Sequence, residues 1–337
     1  MHKYESFIQL GEFLTRSDET ELAELFLRAE NENPWFTKQQ IEYCFQALAQ
    51  MLRKDEIEKW SNQYHDFIEP ETPLRIGIVA AGNIPLAVFH DMLCVLLSGH
   101  IFVCKLSSKD KVLLPFLAQK LIELNPYLEK RIVFEKNELK KMDAYIATGS
   151  DNSSRYFEYY FSKFPCIIRK NRNSVALLTG DETDEELVLL ADDIFLYFGL
   201  GCRNVCKIFL PKGFDLFRIF RASHKYLHYV HHNKFANNFH YHRSIYMMNQ
   251  IDFFENEFFI LKADNSYSSP ISVLYYEYYE NIENIAKRLQ NDMQLLQCVV
   301  SNYPLENAIP FGKAQMPHIM EYADQIDTMN FLIQLTK

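Results

Sequence analysis

The sequence predicts an α/β protein with two doubly wound parallel sheets, preceded by a helical cap. Four short apolar runs (RIGIVA, IFVCKL, RIVFEK and DAYIAT) alternate with helical patterns after residue 73. A second series of strands and helices begins at SVALLT, after Asn173. Residues 1–68 show only helical spacing and end at PETP, a plausible linker because proline disfavours helix. Strands that alternate with helices at this interval indicate crossover connections in parallel sheets.

The helices of this pattern have recognisable ends. The helix after the first strand is predicted to run from Pro85 to about Ser98, with Gly99 after its last turn. In the second series, a capping box from Thr183 to Glu186 begins a helix that ends at the glycines of FGLGC, before the strand CKIFLP. The predicted buried stripe of that helix comprises Leu187, Leu190, Ala191, Ile194, Phe195 and Phe198.

Composition and charge exclude several classes of function. A net charge of −9 over 337 residues argues against nucleic acid as the main partner. The longest apolar run, LAVFHDMLCVLL, is shorter than the roughly 18 residues that a membrane span requires, and it contains His90 and Asp91. The opening MHKYESFIQL lacks the basic and apolar regions of a signal peptide. Most of the seven cysteines lie in apolar surroundings, which favours a reducing compartment, the cytoplasm.

Cys202 is the first candidate for chemistry. It lies between an apolar helix and a buried strand, and Gly199 and Gly201 permit a sharp turn and a close approach to a ligand. Backbone N–H groups and Arg203 could stabilise its thiolate. The alternative is a buried structural cysteine. A zinc site with Cys206 is disfavoured because no second cysteine pair accompanies these two residues.

Polar residues also follow the strands of the first sheet, where ligands of doubly wound folds bind. Asn83 lies in the turn AAGN, and its amide could donate to an oxyanion; the alternative is a turn residue. Lys105 ends a strand and precedes two serines, so these side chains could hold ribose or phosphate, or form a solvated loop. The two serines are Ser107 and Ser108.

TGSDNSS, at residues 148–154, follows another strand and could place backbone N–H groups around a diphosphate, although it lacks GxGxxG. Its candidate cofactor residues are Thr148, Gly149 and Ser150. A group of histidines lies further along the chain without carboxylates or cysteines at ligand spacing, so no metal site is predicted. The group comprises His224, His228, His231, His232, His240 and His242.

In combination, these segments resemble the aldehyde dehydrogenase superfamily. GNIPL resembles its oxyanion turn, SGHIFVCKLSSKD its cofactor-ribose strand and loop, ATGSDNSSR its diphosphate turn, and FGLGCRNVCKIFLP its nucleophile segment. NPWFT, FHDMLCVLLSGH, KLSSKD, GCRNV, FGKAQMP and EYADQIDTMNFL resemble, more narrowly, the LuxC-type acyl-CoA reductases. The resemblance extends from about Asn33 to Leu332.

The resemblance implies an aldehyde dehydrogenase-like fold and the reduction of an acyl thioester to an aldehyde, in which Cys202 forms an acyl-enzyme and Asn83 holds the oxyanion. It implies NADPH as cofactor, with NADH as the alternative, bound by Lys105 and the other candidate residues of the first sheet. The donor would be acyl-CoA or an acyl-carrier thioester. An acyl-protein synthetase or acyltransferase and a second copy of the chain are further partners that it suggests.

Four segments are predicted on this basis. They are a helical cap (1–70), a cofactor-binding domain (71–172), a catalytic domain (173–303) and a C-terminal segment that returns to the active-site region (304–337).

The sequence departs from the superfamily at two carboxylates. The general-base glutamate would fall in IIRKNRNS, which contains Arg169, and the ribose-binding glutamate would fall near Ser266. A thioester reductase needs no activated water, so the first absence fits this activity. Two alternatives stay open: a hydrolytic aldehyde dehydrogenase, and a cofactor-binding or scaffold protein without catalysis.

Overall fold

The computed structural model describes residues 4–16, 19–64, 69–149 and 151–336. The chain forms two compact units. Unit 1 comprises Met1–Asn171 and Met316–Lys337, and unit 2 comprises Arg172–Gln315. The last segment of the chain therefore belongs to the first unit.

Unit 1 combines a helical cap with a five-stranded sheet. Its elements in chain order are α1 (Glu5–Arg16), α2 (Glu19–Glu32), α3 (Lys38–Met51), α4 (Lys54–Ser61), β1 (Arg75–Val79), α5 (Phe89–Leu97), β2 (Ile101–Lys105), α6 (Leu113–Leu124), β3 (Ile132–Phe134), β4 (Ala144–Thr148), α7 (Asp151–Phe161) and β5 (Cys166–Arg169). The strand order is β3-β2-β1-β4-β5, and all pairs are parallel. This order has the doubly wound form that the alternating pattern predicts.

Unit 2 is built on a six-stranded sheet. Its elements are β6 (Asn173–Leu177), α8 (Asp184–Phe195), β7 (Val205–Pro211), α9 (Phe217–Ala222), α10 (Asn233–Met248), β8 (Phe254–Glu255), β9 (Ile260–Ala263), β10 (Val273–Tyr279), α11 (Ile282–Asn291) and β11 (Leu296–Val300). The order is β11-β6-β7-β10-β9-β8, with the short edge strand β8 antiparallel and the other pairs parallel. The predicted fold class is confirmed.

Helix α8 begins as the sequence predicts, with Thr183 and Glu186 bonded reciprocally in a capping box. Its predicted end is wrong. The α-helix stops at Phe195, and Tyr197 and Phe198 have φ angles of 53° and 56°. Phe198 is buried as expected, but in a left-handed turn, where its ring stacks on His232. Aromatic packing overrides the helical period here.

The helix predicted from Pro85 begins later, at Phe89. Leu86 has a φ of 56°, which no continuous right-handed helix accommodates. The preceding residues therefore form turns, and the Asn83 segment is a longer loop than the pattern predicts.

The C-terminal residues are bonded to the cap and to α5 within unit 1. Trp60 donates its indole N–H to the Tyr322 hydroxyl at 2.7 Å, and the Tyr64 hydroxyl donates to Asp327 at 2.9 Å. The ring Nε2 of His90 lies 2.8 Å from the Ile319 carbonyl oxygen. The segment ends in α12 (Thr328–Gln334). In the part of the chain that the structure describes, no helix combines the length and apolar character that crossing a bilayer demands.

Candidate active site

Three candidate residues of unit 1 share one edge of its sheet. Asn83 follows β1, Lys105 ends β2, and Thr148 ends β4. These strands are neighbours in the order β2-β1-β4 and run parallel, so their carboxyl ends lie together. Ligands of doubly wound sheets bind at this edge.

The turn that carries Asn83 packs tightly on the loop that follows β2. A Cβ atom placed on Gly82 would lie 2.4 Å from Ser107 Oγ, so only glycine fits at this contact. The Pro85 carbonyl accepts the thiol of Cys44, on α3, at 3.4 Å. Cap and loop together thus hold the turn from two sides.

Asp110, which the sequence analysis did not single out, joins this turn to the β2 loop. Its Oδ2 accepts the backbone N–H of Leu86 at 3.0 Å. Burial raises the pKa of the carboxyl to about 6, although the backbone N–H groups of Leu86 and Leu113 oppose that rise. An acidic residue ahead of a helix predicts a local cap, and nothing in the sequence marks the partner 24 positions earlier.

The β2 loop exposes the side chains of Lys105, Ser108 and Lys109. Ser107 is half-buried, and its Oγ accepts the Lys109 backbone N–H at 3.2 Å, a bond that does not use the hydroxyl hydrogen. The carboxylate of Asp110 is buried under the loop. The exposed polar surface of this loop therefore consists of ammonium groups and a hydroxyl.

Thr148 ends β4 and Gly149 follows it, two residues before α7 begins, and the Gly149 N–H donates to the Arg169 carbonyl oxygen at 3.3 Å. A Cβ at Gly149 would lie 2.8 Å from both the Phe157 ring and Ser153 Cβ, so glycine lets the turn pack on the helix. Ser150, the third residue predicted for this turn, lies outside the described residues.

Arg169 does not stand at a vacant catalytic-base position; it forms a buried ion pair. Its guanidinium binds both carboxylate oxygens of Asp91, at 2.7 and 2.8 Å, and donates to Thr328 Oγ1 at 2.9 Å. Lys170 pairs with Glu158 at 2.8 Å. A guanidinium committed in this way is a structural cation that cannot accept a proton from water.

Cys202 lies in unit 2, in the loop that precedes β7, and is half-buried. The loop with the candidate nucleophile Cys202 therefore lies at the amino end of β7, a parallel strand. The chain reaches this loop through Tyr197, Phe198 and Gly199, which has a φ of 75°. Left-handed conformations at two aromatic residues cost about 1–2 kcal/mol each, so the surrounding packing must impose this path.

The side chain of Asn204 holds this loop against the end of α8. Its Oδ1 accepts the Gly201 N–H at 2.8 Å. Its Nδ2 lies 2.8 Å from the Leu196 carbonyl oxygen and 3.2 Å from those of Asp193 and Ile194. A single buried amide therefore satisfies the carbonyls that the helix end leaves open.

Two cysteines, Cys202 and Cys206, have different hydrogen-bond partners. Ser174 donates its hydroxyl to the Cys202 carbonyl oxygen at 2.9 Å and accepts the Cys298 backbone N–H at 3.2 Å, which ties the loop to β6 and β11. Cys206 lies 3.3 Å from the Asn204 carbonyl oxygen, and burial raises the pKa of its thiol to about 11. Cys206 is therefore a neutral thiol near pH 7.

Asp193 and Arg203 connect the loop to the segment FGKAQ. Asp193, fully buried, accepts the backbone N–H groups of Gly312 at 2.6 Å and Ala314 at 2.9 Å. The Arg203 guanidinium donates to the Ala314 carbonyl oxygen. The tripeptide 312–314 is thus held through two of its N–H groups and one of its carbonyl oxygens.

The resemblance to the superfamily places the ribose-binding glutamate near Ser266, and the structure has a carboxylate two residues earlier, at Asp264. Asp264 accepts the Ser266 N–H at 2.9 Å and pairs with Lys262. Both partners of the Asp264 carboxylate thus lie within two residues of it, so the carboxylate stabilises its own turn. Among the histidines, His232 caps α10 and His228 bonds to the Lys225 carbonyl. No group of three acidic, histidine or cysteine side chains in the described ranges is arranged to hold a metal ion.

A family model described as acyl-CoA reductase (LuxC) matches residues 17–215, more than half of the chain. The chain belongs to the LuxC acyl-CoA reductase family. It is thereby an oxidoreductase that acts on acyl or aldehyde groups. The match covers Asn83, Lys105 and Cys202, and the resemblance that the sequence predicts is confirmed at the level of the family.

Solved aldehyde dehydrogenases share the fold of this LuxC family member. The enzyme from Mycobacterium tuberculosis, in complex with NAD+, is 14% identical with a TM-score of 0.58, over 85% of this chain and 70% of that chain. A mutant of aldehyde dehydrogenase C from Pseudomonas syringae, with NAD+ and octanal, is 11% identical with a TM-score of 0.62, over 90% and 77%. A comparison with curated proteins gives no significant match.

Proposed function

We propose that this LuxC family member reduces an acyl-CoA, with NADPH, to the aldehyde through a thioester on Cys202. The observation that carries the proposal is the contrast between Cys202, in the loop 199–204 (the nucleophile loop), and Cys206, in β7. Both cysteines are partly exposed, but Cys202 lies on a loop that Asn204 and Ser174 fix, whereas the Cys206 thiol, four residues later, has a pKa raised to about 11. Fixed geometry around one reactive group is what covalent catalysis requires.

The proposed reaction has two stages. The Cys202 thiolate adds to the thioester carbonyl carbon, and the oxyanion accepts hydrogen bonds from the Asn83 amide and the Cys202 N–H. The carbonyl then re-forms, the bond to the coenzyme A sulfur breaks, and coenzyme A leaves as thiolate. A nicotinamide cofactor, when bound, supplies a hydride to the acyl carbon. The carbon–sulfur bond to Cys202 breaks, which releases the aldehyde and restores the thiolate.

The carboxyl edge of unit 1 has the donor set for such a cofactor. Lys105 is exposed at the end of β2, Ser107 retains a hydroxyl hydrogen, and Thr148 and Gly149 precede a helix N-terminus, which favours phosphate. The structural relatives whose complexes contain NAD+ support a nicotinamide cofactor for this fold. We assign cofactor binding to 71–172, catalysis to 173–303, and the completion of the active-site region to 304–337.

NADPH is preferred in this proposal because of the charge of the β2 loop. Ser108 and Lys109 are exposed, and the carboxylate of the next residue, Asp110, is buried against Leu86. A hydroxyl and an ammonium group attract a 2′-phosphate, which an exposed carboxylate would repel. NADH is the alternative cofactor.

The test is a screen of acyl-CoA chain lengths with NADPH, in which aldehyde and free coenzyme A are both quantified. We expect equal amounts of the two products and one oxidised cofactor per aldehyde. The same screen with acyl-carrier protein thioesters identifies the donor. Cofactor binding without any aldehyde, at every chain length and with either donor, would favour the scaffold alternative.

A further inference from the structure

A buried carboxylate in the last turn of α8 holds the segment at which the chain leaves unit 2. Unit 2 ends at Gln315, and Asp193 accepts the N–H groups of Gly312 and Ala314 just before that point. The side chain is fully buried, so bulk solvent does not reach these bonds. An ionised carboxylate accepts two backbone N–H groups more strongly than any neutral side chain does.

The same segment is bonded to the residue that follows Cys202. Arg203 donates its Nε–H to the carbonyl oxygen of Ala314. The nucleophile loop also contacts the main chain of Asp193, because Asn204 Nδ2 donates to the Asp193 carbonyl oxygen at 3.2 Å. Hydrogen bonds therefore join the end of α8, the nucleophile loop and the 312–314 backbone. Asp193 contributes to this network through both its side chain and its carbonyl oxygen.

We propose that Asp193 is a positioning residue, whose ionised carboxylate clamps the 312–314 backbone and thereby fixes the Cys202 loop for reaction. The proposal rests on the proposed role of Cys202 as nucleophile. It adds a component that is remote from the substrate and acts through Arg203 and Asn204. A protonated carboxyl has one good acceptor oxygen, so protonation releases one of the two N–H groups.

Protonation of the clamp falls in an accessible pH range. Burial raises the pKa of Asp193 to about 7, and the neighbouring carboxylate of Asp192 adds to the rise, whereas the N–H groups of Gly312 and Ala314 and the charge of Arg203 oppose it. The other charges in this region are Lys225, which pairs with Asp192 at 2.7 Å, and the exposed Lys313. The clamp is closed above about pH 7 and opens below it.

The test compares Asp193→Asn with Asp192→Asn, a matched control one residue earlier on the same helix. Asp192 accepts from Lys225 and Tyr226 and has no hydrogen bond to residues 312–314. Three quantities are measured: hydrogen exchange of the peptide 311–316, the rate of Cys202 alkylation by iodoacetamide from pH 5.5 to 8.5, and kcat and KM for acyl-CoA.

For Asp193→Asn we expect faster exchange at 311–316 and about tenfold slower alkylation at pH 8, because a small displacement of a reacting group is costly. The ratio of wild-type to variant alkylation rates should fall towards one below pH 6, where the wild-type clamp is open. We expect kcat to fall about tenfold with KM changed less than about twofold. Asp192→Asn should match wild type at pH 8, where Asp193 is ionised in both proteins. Its alkylation transition should lie at a slightly lower pH, because the Asp192 carboxylate adds to the rise of the Asp193 pKa.

An alkylation ratio that is independent of pH, or exchange at 311–316 unchanged in Asp193→Asn, would overturn the clamp. If Asp193→Asn does not fold, hydrogen exchange of the wild-type protein tests the clamp. Exchange at 311–316, corrected for intrinsic rates, must then rise as the pH falls below 7. Exchange and alkylation do not depend on turnover. A wild-type protein that shows the expected exchange and alkylation but forms no aldehyde would therefore contradict the proposed function and leave the proposal for Asp193 standing.

Discussion

Ser174 donates its hydroxyl to the backbone carbonyl of Cys202 across 2.9 Å, and the same oxygen accepts the N–H of Cys298. One buried serine on β6 thus links the nucleophile loop to two strands of the unit 2 sheet. This bond fixes the main chain at Cys202, the candidate nucleophile, relative to the unit 2 sheet.

The first prediction assigns the nucleophile. Cys202→Ala should abolish both the covalent acyl-enzyme, detected by mass spectrometry after incubation with acyl-CoA, and aldehyde formation. Cys206→Ala, the matched control, should retain both, because its thiol has a pKa raised to about 11 and is neutral at pH 7. Acyl label that persists on the Cys202→Ala protein would show that another residue is the nucleophile.

The second prediction concerns the cofactor. NADPH should give the higher kcat/KM, because Ser108 and Lys109 are exposed and Asp110 is buried. Ser108→Asp should lower kcat/KM for NADPH by about tenfold through repulsion of the 2′-phosphate, with little change for NADH. Lys130→Met, at an exposed lysine before β3 and therefore near the opposite edge of the sheet, is the control and should alter neither value. Equal or better kinetics with NADH in wild type would contradict the assignment.

The third prediction tests the oxyanion donor. Asn83→Ala should lower kcat by about 10²–10³, as loss of a single oxyanion donor does in other enzymes. KM should change little, because the bond strengthens only as negative charge develops. Asn125→Ala removes a turn asparagine whose side chain accepts the Tyr127 N–H, and it should leave kcat unaffected. An Asn83→Ala enzyme within about threefold of wild type would make Asn83 a turn residue only.

The fourth prediction excludes hydrolysis. With a long-chain aldehyde and NADP+, sustained turnover should require coenzyme A and yield acyl-CoA, since deacylation by water needs a base worth about 10²–10⁴-fold. In the stretch where the superfamily has its base, Arg169 is paired with Asp91 and Lys170 with Glu158. Steady release of free acid without coenzyme A would show that a base outside this stretch activates water.

The fifth prediction concerns pH and stability at Asp110. Its folded pKa, about 6, lies above the unfolded value of 3.8, so the native state binds the proton more tightly and stability falls as pH rises from about 4 to 6. The loss amounts to roughly 3 kcal/mol, at about 1.4 kcal/mol for each pKa unit. Asp110→Asn, which can still accept from Leu86, should show a shallower slope than wild type in urea unfolding, while the raised pKa of Asp193 maintains the rest. A variant with the wild-type slope would refute the assignment to Asp110.

The sequence by itself determined the alternation of strands and helices, the capping box of α8 and the placement of Asn83 and Lys105 after strands. These features follow from local rules, because strand and helix periods and cap residues act over a few positions of the chain. The family resemblance, carried by short motifs in order, was predictable for the same reason.

The tertiary structure decided the contacts that join distant positions. Asp110 with Leu86, Asp193 with Gly312, and Arg169 with Asp91 are separated by 24, 119 and 78 residues, and a carboxylate or guanidinium carries no local sign of its partner. The left-handed turn at Phe198 likewise depends on His232. Burial makes an unpaired polar group costly, and only the folded chain determines which groups are buried together.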